Sequence, residues 1–440
     1  MPSAAVIGGG LAGLSAALAL GEAGFEVDLF ESRAFLGGRA TSYALPGEDG
    51  AETIDNCQHV LLRCCVNLMD FYQRMGVEKR IHFYREFFFM EPGGRTSTLR
   101  AGVLPAPLHF AESFLKMRCL SVADRVGIGR ALLALRRERT RRDDLDRITM
   151  MDWLREKRQT PRAIGRFWSQ VLVSAINEDL DRMAALHGFQ VFWLGFLANA
   201  RSYEMGVPAV PLGELYGSRV WERHRDVRLH MRSPVERVEF ENGRARGVVV
   251  NGEERRADYV VSCLPFDRVA GVVPQLPLDL TGFSHSPITG IHLWFDRPVT
   301  ALPHATLLDR TIQWMYNKNG GSYVQLVVSA SRSLVEMSKT DVVALAVREL
   351  AEFFPEAGRA KIEKAHVVKE VRATFSAAPG LEARRPVSRT EIPNFFLAGD
   401  WTKSGWPATM EGAVRSGYLA ADAVCAAARN PRRFLLPDIA

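Results

Sequence analysis

Three glycines near the start of the chain, Gly8, Gly10 and Gly13 in "GGGLAG", satisfy G-x-G-x-x-G, and the acidic Glu31 follows about 20 residues later. Each position has a mechanical reason for its residue type. Gly8 permits a tight turn, Gly10 lets the backbone approach a pyrophosphate, and Gly13 lets a following helix pack close to the preceding strand. A helix that opens there offers unpaired N–H groups and its positive dipole end to phosphates. Glu31 accepts hydrogen bonds from ribose hydroxyls. The chemistry these residues suit is the binding of a dinucleotide.

A second concentration of reactive types is "TIDNCQHVLLRCC", Thr53 to Cys65, which holds three of the six cysteines together with His59. A zinc site wants spaced ligands such as C-x-x-C with a matching pair elsewhere. Cys64 and Cys65 are adjacent, so their side chains are expected to diverge, and no metal site is expected. The full set, at positions 57, 64, 65, 119, 263 and 425, includes no C-x-x-C pair, which argues against a disulfide framework and against a dithiol redox centre.

The elements around the glycines follow from periodicity. "AAVI" (Ala4 to Ile7) is a short apolar strand, "LSAALALGEAG" (Leu14 to Gly24) a helix, and "EVDLFE", ending at Glu31, a second strand; this order begins a parallel βαβ unit. "VGIGRALLA" (Val126 to Ala134) imitates the motif, but Leu132 stands at the third glycine position and no strand precedes it, so it is read as part of a basic helix. The middle of the chain is irregular, with "FFFM" (Phe87 to Met90), "GVLPAPLHF" (Gly102 to Phe110) and helical segments to about residue 205. Strand signals return from Leu229 to Pro265, with turns at Asn242-Gly243 and Asn251-Gly252. The chain closes with strand "NFFLAGD" and helix "MEGAVRSGYLAADAVCAAA". Nucleotide-type segments therefore lie at both ends and in the middle, with two inserted blocks between them.

With 440 residues, 47% hydrophobic and 24% charged, the chain is long enough for two or three domains. The net charge of +6 is modest, but nine arginines face five acidic residues between Arg118 and Arg147. That segment is either a solvated helix face or a patch for anionic lipid heads. Met183 to Ala200 is eighteen residues without a formal charge, yet it contains His187, Gln190 and Asn199; a buried helix is expected rather than a bilayer crossing. The first residues show no secretory signal, so a cytosolic protein with reduced thiols is expected.

Taken together, these segments resemble the flavin-dependent amine oxidase and phytoene desaturase superfamily. The resemblance rests on "GGGLAG", Glu31, the Gly37-Gly38-Arg39 stretch of "ESRAFLGGRA", "LAGDW" and "MEGAV". It implies an α/β fold: a Rossmann-like, doubly wound FAD-binding domain (1–65, 206–275 and 386–440) with an inserted α+β substrate domain (66–205 and 276–385). It also implies a cofactor set. Gly8, Gly10, Leu11, Ala12, Gly13, Glu31 and Ser32 come from the first unit, with Arg33 near the adenosine and Gly38 and Arg39 at the pyrophosphate. Val235, in "SPVERVEF", reads the adenine through its backbone; Gly399 and Asp400 meet the ribityl and phosphate region; Thr409 and Met410 open a helix whose amides face the flavin ring. Asn56, Gln58 and His59 are expected beside the flavin.

Within that superfamily, "DNCQHVLL", "LPHATLLDRTIQWMYNK" and "IHLWFDRPV" resemble the squalene-associated FAD-dependent desaturases of hopanoid pathways, understood as hydroxysqualene dehydroxylases. Cys57 and Arg63 replace glycines of the related "DNGQHVLLG". The resemblance implies reduction of hydroxysqualene to squalene with release of water, an external electron donor or reductase, and no nucleic-acid partner. It further implies a peripheral seat on the inner face of the cytoplasmic membrane. Thr409, small and uncharged, stands where an amine oxidase carries an aromatic cage residue. Apolar stretches at Phe87 to Met90, Val103 to Phe110 and Met183 to Ala200 are expected to wall a substrate tunnel. His59 is the expected catalytic proton donor. Two other readings stay open: a carotenoid-type desaturase or saturase, and an isoprenoid-carrying escort protein without redox chemistry, against which the intact nucleotide motifs argue.

Overall fold

Small and branched residues that bury on both faces make Ser3–Ile7 the central strand of a five-stranded parallel sheet. In this computed structural model, which describes residues 1–46 and 51–439, the order is Val227–His230, Glu26–Phe30, Ser3–Ile7, Tyr259–Ser262, Phe395–Leu397. Parallel neighbours need crossovers. The first is the helix Leu11–Glu22, whose residues from Leu11 to Gly21 are all buried because the closing helix Met410–Ala427 lies across it. That crossing depends on Gly417, where an added Cβ would come within 2.1 Å of Ser15 Oγ and 2.3 Å of the Ala12 carbonyl oxygen. In its place the Ser15 hydroxyl donates to the Val414 carbonyl at 3.2 Å. Leu14, Leu18, Val414 and Tyr418 are buried in this contact, and each large apolar side chain so removed from water contributes roughly 1.5–3 kcal/mol.

The core of the parallel sheet continues past residue 65. Helix Val66–Arg74 places Leu68, Phe71 and Tyr72 in it. Its N-cap, Cys65, provides no side-chain bond, and the Glu411 carboxylate supplies the cap by accepting from Leu68 N at 2.7 Å and Asn67 N at 3.2 Å.

A seven-stranded sheet forms the second layer, in the order Ile362–Phe375, His285–Phe295, Tyr323–Ser329, Trp314–Asn319, His304–Leu307, Glu86–Met90, Thr96–Arg100. One face packs against helix Lys339–Phe353, through Val342, Ala346 and Leu350. The opposite face, with Trp314, Tyr316 and Val327, shares a core with the helices Ser169–Ile176 and Ala185–Phe192. The uncharged Met183 to Ala200 stretch is that second buried helix with a wider turn, Trp193–Leu197, after it; among the described residues no helix is long and apolar enough to cross a membrane. "VGIGRALLA" lies inside the helix Val122–Glu138, as its missing third glycine predicts.

Candidate flavin site

Strand, turn and helix meet at Gly13 more closely than any side chain allows: a Cβ there would lie 1.8 Å from the Gly8 carbonyl oxygen. At the neighbouring Gly10 the space is open, with Gly38 Cα at 3.9 Å as the nearest atom to an added Cβ. Gly10 is also the N-cap of helix Leu11–Glu22, makes no side-chain cap, and no acidic residue occupies the first turn. The helix therefore presents the N–H groups of Leu11, Ala12 and Gly13 to a cradle lined by backbone alone.

Glu31 ties this turn to the next segment. One carboxylate oxygen accepts from Gly9 N at 2.7 Å; the other accepts from Arg33 N at 2.8 Å and from the Ser32 hydroxyl at 3.1 Å. The second glycine pair is docked on the first, with Gly37 N donating to the Gly9 carbonyl at 2.8 Å and Gly10 and Gly37 forming an isolated parallel bridge. Arg33 reaches the Gly38 carbonyl at 3.4 Å. Ser233 N and Arg232 N donate to the carbonyls of Glu31 and Arg33, which sets the strand Val235–Glu241 beside them. Arg39 Nη2 meets Asp400 Oδ1 at 2.6 Å, and the Asn56 amide donates to the Arg39 carbonyl at 2.8 Å. Gly399 N donates to Ser416 Oγ at 2.8 Å, so the Asp400 turn is held by the closing helix. That helix begins with Met410 and is capped by Thr409, whose hydroxyl accepts from Gly412 N at 3.0 Å.

These residues fit a dinucleotide. An open glycine cradle at a helix N-terminus, an acid at the end of the second strand and an arginine fixed by an aspartate are the parts that pyrophosphate, ribose and ribityl groups require.

The loop Asn56 to His59 is held from both sides. An added Cβ on Gly290 would fall 2.9 Å from the Asn56 carbonyl oxygen, so strand His285–Phe295 runs directly against the loop. His59 Nδ1 lies 2.9 Å from the Cys57 carbonyl, which only accepts, so Nδ1 carries the proton and Nε2 keeps its lone pair. Burial pushes the imidazole pKa down, against opposing pulls from Asp55 and the Cys57 carbonyl. His59 is therefore a neutral base rather than the charged donor its residue type suggests. Gln58 accepts from the Lys318 ammonium at 2.8 Å, and burial lowers the Lys318 pKa.

Neither Cys57 nor Arg63 adopts positive φ, so replacing glycine strains neither position. Cys57 is buried, which raises its thiol to about 12, while Arg63 bonds Glu204 at 2.6 Å. The neighbouring Cys64 thiol and burial hold the Cys65 thiol well above its ordinary pKa, and both cysteines are free.

An aromatic file crosses the same core that buries Cys57. Tyr316 stacks on Trp314 at 5.7 Å; Phe87 follows at 6.3 Å, then Phe196 at 6.2 Å and Phe110 at 6.1 Å. The sequence places Val103 to Phe110 in a tunnel wall, but Val103, Leu104 and Leu108 face outward, and only its end, at His109 and Phe110, turns inward. Sequence reasoning also missed Lys318, Glu411 and Ser416. A lysine near the end of a strand that opens on Trp314, Met315 and Tyr316 was the one available signal for Lys318.

Residues 11–425 match the family described as flavin containing amine oxidoreductase. The chain is 26% identical to 15-cis-phytoene desaturase of Synechococcus elongatus over 458 residues, covering 96% of this chain and 95% of that one. It is also 26% identical to the zeta-carotene desaturase of Solanum lycopersicum over 477 residues, covering 96% and 80%. Among solved structures, an oxidoreductase from Methanosarcina mazei superposes with a TM-score of 0.72 at 18% identity, covering 94% of this chain and 98% of that one, which shows a shared fold.

Proposed function

The chain belongs to the flavin-containing amine oxidoreductases and is an FAD-dependent oxidoreductase; we propose that its substrate is a long-chain isoprenoid, desaturated or saturated as by the carotenoid enzymes. The observation that carries this reading is the aromatic file from Tyr316 to Phe110, which suits a hydrocarbon chain and offers no paired charge for an amine. The likeness to phytoene and zeta-carotene desaturases over nearly the whole chain supports it.

Desaturation removes a hydride from one carbon and a proton from its neighbour. FAD, when bound, supplies the two-electron acceptor. Gly10, Gly38 and the Arg39–Asp400 pair would hold its pyrophosphate side, while Asn56 fixes Arg39 through the backbone. His59 Nε2 accepts the proton, because its Nδ1–H is committed to the Cys57 carbonyl. The aromatic walls exclude water from the site. Return of the flavin to its starting state falls to an external acceptor or reductase.

A second reading is reductive dehydroxylation of hydroxysqualene. Lys318 favours it: an ammonium one hydrogen bond from Gln58, with a lowered pKa, is a proton donor for a departing hydroxyl. The two readings separate in anaerobic incubations. Oxidised holoprotein with 15-cis-phytoene should bleach the flavin and yield a more unsaturated polyene. Reduced holoprotein with hydroxysqualene giving squalene and oxidised flavin would replace the first reading by the second. No flavin change with either substrate defeats both.

A further inference from the structure

Strand His304–Leu307 has two faces of opposite character. Ala305 and Leu307 enter the core under helix Lys339–Phe353. His304 and Thr306 take the other face, as alternation along a strand requires, and it is the face of the aromatic file: His304 is paired in register with Tyr316 and Thr306 with Trp314. The His304 ring lies 6.4 Å from Phe87 and 6.5 Å from both Trp314 and Tyr316, with Tyr84 at 4.9 Å.

Both side chains are wholly buried, yet each holds a polar atom that nothing meets. His304 Nε2 lies 2.9 Å from the Glu86 carbonyl, which only accepts, so Nε2 carries the proton and Nδ1 keeps its lone pair. Among the described residues that Nδ1 has no hydrogen-bond partner, and neither has Thr306 Oγ1. The indole N–H of Trp314 is committed elsewhere, to Ser174 Oγ at 2.6 Å. Burial holds His304 at about 4, so the imidazole is a neutral acceptor at neutral pH. Native interiors pair their buried polar atoms. An unpaired acceptor two residues from an unpaired hydroxyl suits an alcohol, whose proton goes to Nδ1 and whose oxygen accepts from Thr306. A ketone, an ether or a hydrocarbon leaves Nδ1 unmet.

We propose that His304 and Thr306 form a hydroxyl-binding subsite, so that the substrate is an isoprenoid carrying an alcohol remote from the bond that reacts. The proposal rests on the isoprenoid reading and narrows its substrate class. Thr306 pairs with Trp314, Trp314 with Val327 and Val327 with Gly290, the residue against which the Asn56 carbonyl packs. Three strand spacings therefore put the subsite roughly 14 Å from the flavin loop. A hydroxyl held there does not react; it fixes which stretch of the chain stands at the flavin. A hydroxyl that leaves, as in the dehydroxylation reading, has to stand at the flavin instead.

Equilibrium dialysis of the oxidised holoprotein against tritiated geranylgeraniol, its methyl ether and the corresponding hydrocarbon tests the subsite without turnover. The alcohol should bind at least about tenfold more tightly than the ether, which has no proton for Nδ1. Thr306→Val should cut that ratio about fivefold, and Thr306→Ser should keep it. Because the Thr306 hydroxyl is unpaired in the free protein, Thr306→Val should melt at or above the parent temperature with unchanged flavin content. Equal binding of alcohol and ether, or a ratio that survives Thr306→Val, overturns the subsite and leaves the isoprenoid reading intact. A lower melting temperature in Thr306→Val also overturns it, because the hydroxyl is then satisfied within the fold by buried water. Binding of none of the three compounds defeats the isoprenoid reading and the subsite with it.

Discussion

Arg39 and Asp400, 361 positions apart in the chain, meet at 2.6 Å and tie the second glycine pair to the turn after strand Phe395–Leu397. The partners are unequally solvated, the side chain of Arg39 being 36% exposed and that of Asp400 8%. Loss of one partner therefore does not mirror loss of the other. Arg39→Ala leaves a buried carboxylate without its charge partner, whereas Asp400→Ala leaves a guanidinium that water can reach. Arg39→Ala should lower apoprotein stability by about 1–3 kcal/mol, and Asp400→Ala by less. Both should lose flavin on dialysis, and apoprotein denaturation curves with bound-flavin absorbance check the order.

Gly10 and Gly13 separate flavin binding from folding. A Cβ at Gly13 would sit 1.8 Å from the Gly8 carbonyl oxygen, inside the strand–helix contact. Gly13→Ala should therefore cost about 3 kcal/mol or more and give little soluble protein. At Gly10 the nearest atom to a Cβ is 3.9 Å away, so Gly10→Ala should fold and melt as the parent apoprotein does. The methyl group then occupies the cradle, and flavin affinity should fall at least about tenfold. Equal flavin content in Gly10→Ala and the parent would show that phosphate does not approach this backbone.

How much of this was legible in the sequence depends on how far apart the interacting residues lie. Gly8, Gly10, Gly13 and Glu31 form one local unit, so spacing and residue type reveal both strand–turn–helix and purpose. Roles at the cofactor for Gly38, Arg39 and Asp400 followed only from a family likeness, and neither the docking of Gly37 on Gly9 nor the Arg39–Asp400 pair was foreseen, because no local pattern encodes a contact between distant segments. Glu411 in "MEGAV" reads as an ordinary first-turn acid, yet it caps a helix that begins at Val66. Periodicity marks Val103, Leu104 and Leu108 as apolar without saying which side of the loop they face. His59 was legible as a reactive type, but its neutral state is set by burial.

Stability should peak near neutral pH. Burial holds His187 and His292 at about 3 and His304 at about 4, below the ordinary value of about 6.5. Groups with depressed values contribute stability that is present above about pH 6.5 and lost as pH falls, each by roughly 1.4 kcal/mol per unit. Glu411 works in the opposite sense. Burial raises it to about 7, so its contribution is present below the unfolded carboxylate value and lost as pH rises toward 7. Denaturation midpoints should therefore fall steeply below pH 6.5, where three histidines outweigh one carboxyl. In Glu411→Gln the decline between pH 5 and 7 should be steeper still, since the opposing group is gone; an unchanged slope would mean that Glu411 does not titrate in this range.

His59 gives the sharpest test of the chemistry. Its Nδ1–H is bound to the Cys57 carbonyl at 2.9 Å, and burial lowers its pKa, so the imidazole is a base over the whole neutral range. For desaturation that is the active form. The rate against pH should show an acid limb lying below the ordinary histidine value, flat above it, because protonation of Nε2 is what removes activity. His59→Phe keeps the ring volume and deletes the lone pair, and should lower kcat about 10²–10⁴-fold. Flavin content should be unchanged, because the cradle is built from Gly10, Gly38 and Arg39. If dehydroxylation is the reaction, Lys318→Met should be the more damaging substitution and His59→Phe the milder. Parallel rate measurements on the two variants, with flavin absorbance as the control for folding, therefore identify which residue handles the proton and in which direction it moves.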